Sequence, residues 1–101
     1  MRFLVVTKST HPIPPEVFGG LIDAMTAWTR RYEAKMEQVW AFAGIPGGCG
    51  IIIIDSLDEL DAIMVEFPFG PFSDIEIYPL VDLGAALQRA KQAAQAMAGG
   101  G

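Results

Sequence analysis

The segment SDIEIYPL, in the last third of the chain, carries side chains that can transfer protons. Asp74, Glu76 and Tyr78 alternate with two isoleucines, which predicts a β-strand with two acids and a phenol on one face, about 6.8 Å apart. Carboxyl groups withdrawn from water act as general bases or acids near neutral pH. We therefore take Glu76 and Asp74 as candidate catalytic residues and Tyr78 as a candidate substrate-binding residue. The same pattern also fits two acids on a solvated sheet face.

The only histidine, His11, is a third candidate for proton transfer, because the loop STHPIPPE that holds it follows the first strand. An ordinary loop position without chemistry fits His11 as well. One histidine, one cysteine and scattered acids do not form a metal-ligand spacing. The glycine-rich stretch GIPGGCG lacks the Lys-Ser/Thr ending of a phosphate-binding loop and predicts a turn. The sequence therefore predicts neither a metal nor a cofactor.

Aromatic side chains lie close in sequence to these candidates. Phe69 and Phe72 flank the Gly-Pro pair of FPFGPF, in a loop that leads into the acidic strand, and loops often carry binding groups. Met36, Gln38, Trp40 and Phe42 share one face of the alternating stretch KMEQVWAFAG. We expect Trp40, Phe42, Phe69 and Phe72, together with Tyr78, to wall a small-molecule pocket. Positions in a subunit interface or in the core remain open for each of them.

The spacing of apolar residues predicts the elements that position these groups. Strand patterns occur in RFLVVTK, KMEQVWAFAG, IIIID and SDIEIYPL. An apolar stripe at helical spacing predicts a helix from Pro15 to about Ala34. Ser56 and Glu59 form a capping box for a second helix, and Asp82 caps a third. The resulting order, β-α-β-β-α-β plus a C-terminal helix, predicts a ferredoxin-like α+β fold.

The length of 101 residues fits a single domain. We expect this ferredoxin-like domain to span residues 1–98 and the glycines at 99–101 to form a disordered tail. The strand IIIID is apolar on both faces, so the sheet face that the helices leave bare needs a partner. We expect a second copy of the chain to supply it, so that two chains form an α+β barrel and the protein is a homodimer or a higher oligomer.

Charge and hydropathy exclude several classes of partner. The formal net charge is −5 and no run of Lys or Arg occurs, so nucleic acid and anionic membranes are not expected partners. No apolar stretch approaches the roughly 20 residues of a membrane span. The N-terminal residues predict a strand instead of a signal peptide, and a lone cysteine gives no disulfide framework. The expected location is the cytoplasm.

Three segments resemble the muconolactone delta-isomerase family: VWAFAG, DSLDEL and FPFGPFSDIEIYPL. The resemblance runs without gaps over about residues 39–80, two-fifths of the chain, and its P-x-x-P-x-x-D-I-E motif is moderately specific. The matching residues are Trp40, Ala43, Gly44, Ser56, Leu60, Pro68, Pro71, Asp74, Ile75 and Glu76.

This resemblance implies an α+β barrel that assembles into dimers or higher rings. It also implies a small enzyme that relocates a proton on a hydrophobic lactone or carbonyl compound without a cofactor or a metal. Such a reaction needs a base beside a carbonyl and an acid that returns the proton elsewhere. Two other functions remain open: a non-catalytic barrel that binds small molecules or serves as an accessory subunit, and a cofactor-free monooxygenase or cyclase.

Overall fold

The computed structural model describes residues 1–100, and Gly101 lies outside the described residues. Four strands and three α-helices alternate along the chain, with short 3₁₀ turns at Glu33–Lys35 and Gly70–Phe72. The bounds are Arg2–Ser9 for β1, Pro15–Arg31 for α1, Met36–Ala41 for β2, Gly47–Ile53 for β3, Leu57–Val65 for α2, Ser73–Leu80 for β4 and Leu83–Gly100 for α3.

The strands form one antiparallel sheet in the order β2-β3-β1-β4. Both of its central strands, β3 and β1, are rich in β-branched residues, which pack well on a pleated surface. This strand order, with helices that cross between the strands, is the ferredoxin-like α+β arrangement that the sequence predicts. The fold prediction is therefore confirmed for the single chain.

The core lies between one face of the sheet and the two helices α1 and α2. Phe3 and Val5 of β1 and Ile52 of β3 pack with Leu60 and Ile63 of α2 in one buried cluster. Because side chains alternate along a strand, the odd-numbered residues of β1 face the helices and the even-numbered ones face away. The two faces of the sheet therefore have different surroundings in the single chain.

The capping box predicted for α2 is present. Ser56 Oγ accepts a hydrogen bond of 3.2 Å from the Glu59 backbone N–H, and the Glu59 carboxylate accepts one of 3.0 Å from the Asp55 N–H. These bonds satisfy donors that the first helical turn leaves without a partner. The Asp55 N–H bond is the main cause of the lowered pKa of the Glu59 carboxyl, and a hydrogen bond from Lys35 lowers it further.

A β-bulge in β2 changes one part of the predicted pattern. The register shifts between Met36 and Gln38, so Met36 pairs with Ile52 on the helix side while Gln38 and Trp40 face away. The prediction that Met36, Gln38 and Trp40 share one face is therefore wrong for Met36. An extra residue in one strand moves the following side chains to the opposite face.

The glycine-rich stretch is strand where the sequence predicted a turn. β3 begins at Gly47, and only residues 42–46 form the connection to β2. Gly47 has a φ of 139°, which an L side chain rarely adopts, and a Cβ there would lie 2.2 Å from the Thr7 carbonyl oxygen. Helix α1 also ends earlier than predicted, at Arg31, because Tyr32 leaves helical geometry.

Helix α3 projects from the rest of the molecule. Its apolar residues are exposed, Leu83 to 70%, Leu87 to 61% and Met97 to 80%, and the longest dimension of the molecule is 65 Å against 26 and 22 Å for the others. Asp82 caps the helix as predicted, by accepting a 2.9 Å bond from the Ala85 N–H. The helix extends to Gly100 and Gly101 lies outside the described residues, so the domain bound at 98 and the disordered tail at 99–101 stay predictions.

Candidate functional site

A cavity of about 430 Å³ lies between α1 and the sheet. Side chains of Phe18, Ile22, Met25 and Trp28 from α1 cover it, and the helix-facing residues of β1, β2 and β3 form its floor. Phe67 and Met64 of the α2 region close one side. This volume lies in the range of small-molecule pockets, and the apolar lining is typical of them.

The cavity exists because its floor lacks side chains. Gly48 and Gly50 occupy the helix-facing positions of β3, beside Thr7 and Val5 of β1. A Cβ at Gly48 would lie 2.4 Å from the Trp40 carbonyl oxygen, so no other residue fits there without movement of the backbone. The absent side chains leave space that larger residues fill elsewhere on this face of the sheet.

The position of α1 also leaves the cavity room. None of the α1 residues is fully buried, and Phe18 and Ile22 are 47% and 44% exposed although they lie on its sheet-facing side. The helix is held at its C-terminal end, where the Trp28 indole N–H donates a 2.9 Å hydrogen bond to the Ile63 carbonyl. The cavity is thus bounded firmly near Trp28 and opens toward Phe18.

The polar groups of the cavity are hydroxyls. Thr7, Ser9 and Ser73 line it, and Ser9 and Ser73 lie opposite each other on β1 and β4. Thr7 Oγ1 donates a 3.4 Å hydrogen bond to the Gly48 carbonyl. Along residues 1–100, no carboxylate, ammonium, guanidinium or imidazole group belongs to the lining. The cavity therefore offers hydrogen bonding at the Ser9–Ser73 end and apolar contact elsewhere.

The predicted acids lie on the other face of the sheet. Ile75 packs against the core, so Asp74, Glu76 and Tyr78 point away from the helices, as the alternation predicts. Both acids and Tyr78 are exposed in the single chain. The Tyr78 hydroxyl donates a short hydrogen bond to Glu76 Oε2, and this bond raises the pKa of the Tyr78 phenol.

The structure divides the predicted site residues into two groups. Phe69 lines the cavity, whereas Trp40 borders it with its carbonyl beside Gly48 while its indole faces away from the helices. The others do not line it: Asp74, Glu76, Tyr78, Phe42, Phe72 and His11. In the single chain the aromatics of FPFGPF and the acids of SDIEIYPL therefore do not meet in one cavity, because the sheet lies between Phe69 and the acids. The Trp40 indole shares the sheet face of the acids and Phe69 lies on the other, so one shared site stays a prediction.

His11 lies near the polar end of the cavity. Its flanking residues Ser9 and Ile13 both line the cavity. The backbone N–H groups of Thr10 and His11 both donate to the Phe72 carbonyl, at 2.9 and 3.2 Å, which fixes this loop against the end of β4. The His11 ring is exposed, with Nδ1 3.0 Å from Thr10 Oγ1. His11 is two residues from the lining residues Ser9 and Ile13, and Asp74 directly follows the lining residue Ser73.

The residues missed from the sequence are the floor glycines and the α1 side chains. Gly48 and Gly50 belong to a stretch that resembles a loop, and only the pairing register reveals them as floor positions. The apolar stripe of α1 predicts a helix that packs on the sheet, and its spacing does not distinguish core contacts from a cavity wall. A second, open depression of about 830 Å³ lies at the base of α3. Its lining combines the charged residues Arg2, Glu37 and Asp82 with apolar residues.

No helix in the described part of the chain is long and apolar enough to cross a membrane. Within residues 1–100, no group of three or more His, Cys, Asp or Glu side chains is arranged to hold a metal ion.

Comparison with known proteins adds a relationship to this geometry. Muconolactone Delta-isomerase of Rhodococcus opacus is 28% identical over 75 residues, which cover 72% of this chain and 81% of that enzyme. A crystal structure of muconolactone isomerase superposes with a TM-score of 0.73, at 21% identity, over 81% of this chain and 90% of the other. The chain is muconolactone isomerase-like. The resemblance inferred from three short segments is therefore confirmed at the level of the whole fold.

A second solved structure has the same fold at greater distance. It is the 5-chloro-2-hydroxyhydroquinone dehydrochlorinase of Burkholderia phenoliruptrix in complex with 2,5-dihydroxybenzoquinone. Its TM-score is 0.57 and its identity 21%, over 80% of this chain and 94% of the other. No family model matches the chain. These two solved structures show that the chain shares their fold.

Proposed function

We propose that the protein is a cofactor-independent enzyme that relocates a proton on a small hydrophobic lactone or carbonyl compound. The observation that carries this proposal is the apolar cavity of about 430 Å³ between α1 and the sheet, in a chain that resembles an isomerase. The volume suits a substituted five- or six-membered ring. The apolar lining excludes water from the ring, which favours the chemistry of an enolate over its hydrolysis.

The reaction moves one proton and one double bond. A base takes a proton from a ring carbon conjugated with the carbonyl, the electron pair passes into a dienolate, and a proton is returned at a different carbon. No atom is gained or lost. Ser9 and Ser73, at the polar end of the cavity, are placed to donate hydrogen bonds to the carbonyl oxygen on which charge develops.

His11 is the proposed base, since it belongs to the loop between the lining residues Ser9 and Ile13. Imidazole is suited to this work because its ordinary pKa lies near neutral pH. Asp74 and Glu76 remain candidates only where a partner's sheet encloses their face. The two possibilities differ in which substitutions reduce the rate.

The test is deuterium incorporation from D₂O into an unsaturated γ-lactone, followed by proton NMR. His11→Asn is expected to reduce the exchange rate about 10²-fold or more, the usual contribution of a general base. Glu76→Gln is the comparison variant, and it keeps a normal rate where His11 is the base. Loss of exchange in Glu76→Gln with a normal His11→Asn rate would move the chemistry to the opposite face. An absence of exchange in the wild-type protein, with several lactones, would refute the proposal.

A non-catalytic binding protein is the second candidate, and one observation favours it. Across residues 1–100, the lining holds no acid, amine or imidazole, so the single chain presents the ligand to no strong base. This candidate predicts saturable lactone binding without deuterium incorporation. Calorimetry and NMR on the same ligand separate the two functions.

We also propose that two chains pair through the sheet face that carries Asp74 and Glu76, to form the α+β barrel. This face holds Ile51 and Ile53 beside charged residues, and Ile53 is 39% exposed in the single chain. Association would bury this apolar surface. Sedimentation is expected to give at least twice the 10.9 kDa of one chain. A folded monomer at micromolar concentration would contradict it.

A further inference from the structure

The charge of the cavity limits which ring it accepts. We propose that the preferred ligand is an uncharged ring that carries a carbonyl oxygen, and that a ring with a free carboxylate is disfavoured. This inference rests on the proposed function for the location of the site and adds the chemical class of the substrate. It concerns binding, so binding measurements test it separately from catalysis.

The lining supplies no compensating charge. The 22 residues that line the cavity within the described chain include no Lys, Arg or His. The cations on the neighbouring strand β1, Arg2 and Lys8, are even-numbered and face away from the helices. Arg2 is also paired with Glu37 at 2.9 Å. An anionic group that enters the cavity would lose its hydration without gaining a counter-charge, which is strongly unfavourable.

Two cations near the end of α1 are paired with acids outside the cavity, and a third, Arg30, does not line it. Arg31 lies at 3.2 Å from the Glu66 carboxylate, and Lys35 at 2.7 Å from Glu59. These pairs lie on the exposed surface beyond Trp28, and none of the four residues belongs to the lining. The closed end of the cavity is therefore as uncharged as its floor.

The polar groups that remain suit a carbonyl. The Trp28 N–H is already bonded to the Ile63 carbonyl, so the indole presents apolar surface to the cavity. Ser9 and Ser73 face each other across β1 and β4, and the structure records no hydrogen bond from either side-chain hydroxyl within residues 1–100. Two hydroxyl donors at one end of an apolar cavity match one ring oxygen or carbonyl oxygen. The ligand is thereby oriented with its carbonyl toward the His11 loop.

Two probes that differ in one charge test this proposal. They are a butenolide with an acetate side chain and the methyl ester of the same compound, and calorimetry at pH 7 measures both. The acetate is ionised at this pH, because carboxyl groups titrate near pH 4. The ester is expected to bind at least about tenfold more tightly than the acetate, because burial of the unpaired carboxylate charge costs more free energy than burial of the neutral ester.

An added cation provides the matched control. Ala41→Lys places an amine at a lining residue that is exposed at the cavity edge, whereas Ala43→Lys adds the same charge in the β2–β3 connection outside the lining. Ala41→Lys is expected to improve acetate binding at least about fivefold with little change for the ester. Ala43→Lys is expected to change neither. An equal gain in acetate affinity in both variants would reflect net charge alone. It would contradict the assignment of this cavity as the binding site.

The outcomes separate this inference from the proposed function. Tighter binding of the ester without deuterium exchange supports the inference and refutes the enzyme. Binding of the acetate as tight as that of the ester refutes the inference, whether or not exchange occurs. Failure of both probes to bind, with the fold verified by circular dichroism, also refutes it.

Discussion

The two faces of the sheet differ in the side chains they carry, and only one of them is covered by helices in the single chain. The helix-facing side holds buried apolar residues, two floor glycines and a cavity without charged groups. The opposite side carries most of the charge of the strands, including the Tyr78–Glu76 hydrogen bond and the Arg2–Glu37 pair. Space for a ligand and groups that titrate are therefore separated by one layer of backbone. The proposed proton relocation needs both, and it would bring them together at the end of the sheet, near His11, or through a second chain.

The largest expected effect is the difference in unfolding free energy between substitutions on the two faces of the sheet. Ile52 and Ile53 are adjacent in β3, but Ile52 is 3% exposed on the helix side and Ile53 is 39% exposed on the other. Ile52→Ala is expected to lower the free energy of unfolding by about 2–5 kcal/mol. Ile53→Ala is expected to cost less than about 1 kcal/mol in a monomer. Urea unfolding measures both.

Protein concentration sharpens this comparison. Where the Ile53 face pairs with a second chain, the cost of Ile53→Ala grows and the unfolding midpoint depends on concentration. Equal costs for both variants at a concentration where sedimentation shows monomer would contradict the assignment of the two faces.

The two tryptophans give a smaller contrast. Trp28→Phe removes the donor to the Ile63 carbonyl and leaves that acceptor without its partner, so a loss of about 1–3 kcal/mol is expected. Trp40 is 49% exposed, and Trp40→Phe is expected to change stability by less than about 0.5 kcal/mol. Thermal unfolding by circular dichroism measures both changes. A Trp40→Phe loss as large as that of Trp28→Phe would place Trp40 in a buried interface.

The cap of α2 gives the next effect. Ser56→Ala removes the oxygen that accepts the Glu59 N–H and is expected to cost about 1 kcal/mol in urea unfolding. Ser73→Ala is the matched control, since it removes a hydroxyl from the cavity end. It is expected to weaken lactone binding with little effect on stability. A change of binding in Ser56→Ala at unchanged stability would contradict the capping role.

The smallest effect concerns titration on the exposed face. In a Tyr32→Phe background, Tyr78 is the only tyrosine, and ultraviolet titration is expected to place its pKa above 10 because its hydroxyl donates to Glu76. Glu76→Gln is expected to return it toward the ordinary value. A raised pKa in the folded state means that any stability from this bond is present below pH 10 and is lost as pH rises through the folded pKa. An unchanged pKa in Glu76→Gln would show that the bond is absent in solution.

The sequence predicted the elements better than it predicted the site. Apolar periodicity is a local property, and it correctly predicted the order of the four strands and the orientation of Ile75 against Asp74. Capping residues are also a local signal, and the caps of α2 and α3 are as predicted. The cavity depends on the absence of side chains at Gly48 and Gly50, which become floor positions only through pairing with β1. Glycine-rich sequence is also the usual signature of a turn.

Two further errors have similar causes. The bulge at Met36 is one extra residue, and alternation of side chains continues on both sides of it, so the sequence alone does not reveal it. The width of the cavity depends on the distance between β3 and the α1 side chains Phe18 and Ile22. A local sequence pattern does not encode this distance. The cavity volume therefore depends on tertiary packing, whereas the secondary structure of the residues that line it depends on local sequence.

The exposed helix α3 has a consequence for spectroscopy. At 18 residues it is about 27 Å long, and most of its apolar stripe contacts nothing in the described chain. Helices gain most of their stability from packing, and an isolated one frays from its ends. Where the proposed pairing of chains also covers this stripe, dilution would fray α3 and lower the far-ultraviolet helical signal, because α1 and α2 keep their packing within one chain. A dilution series in circular dichroism would then read out the occupancy of one helix without any label.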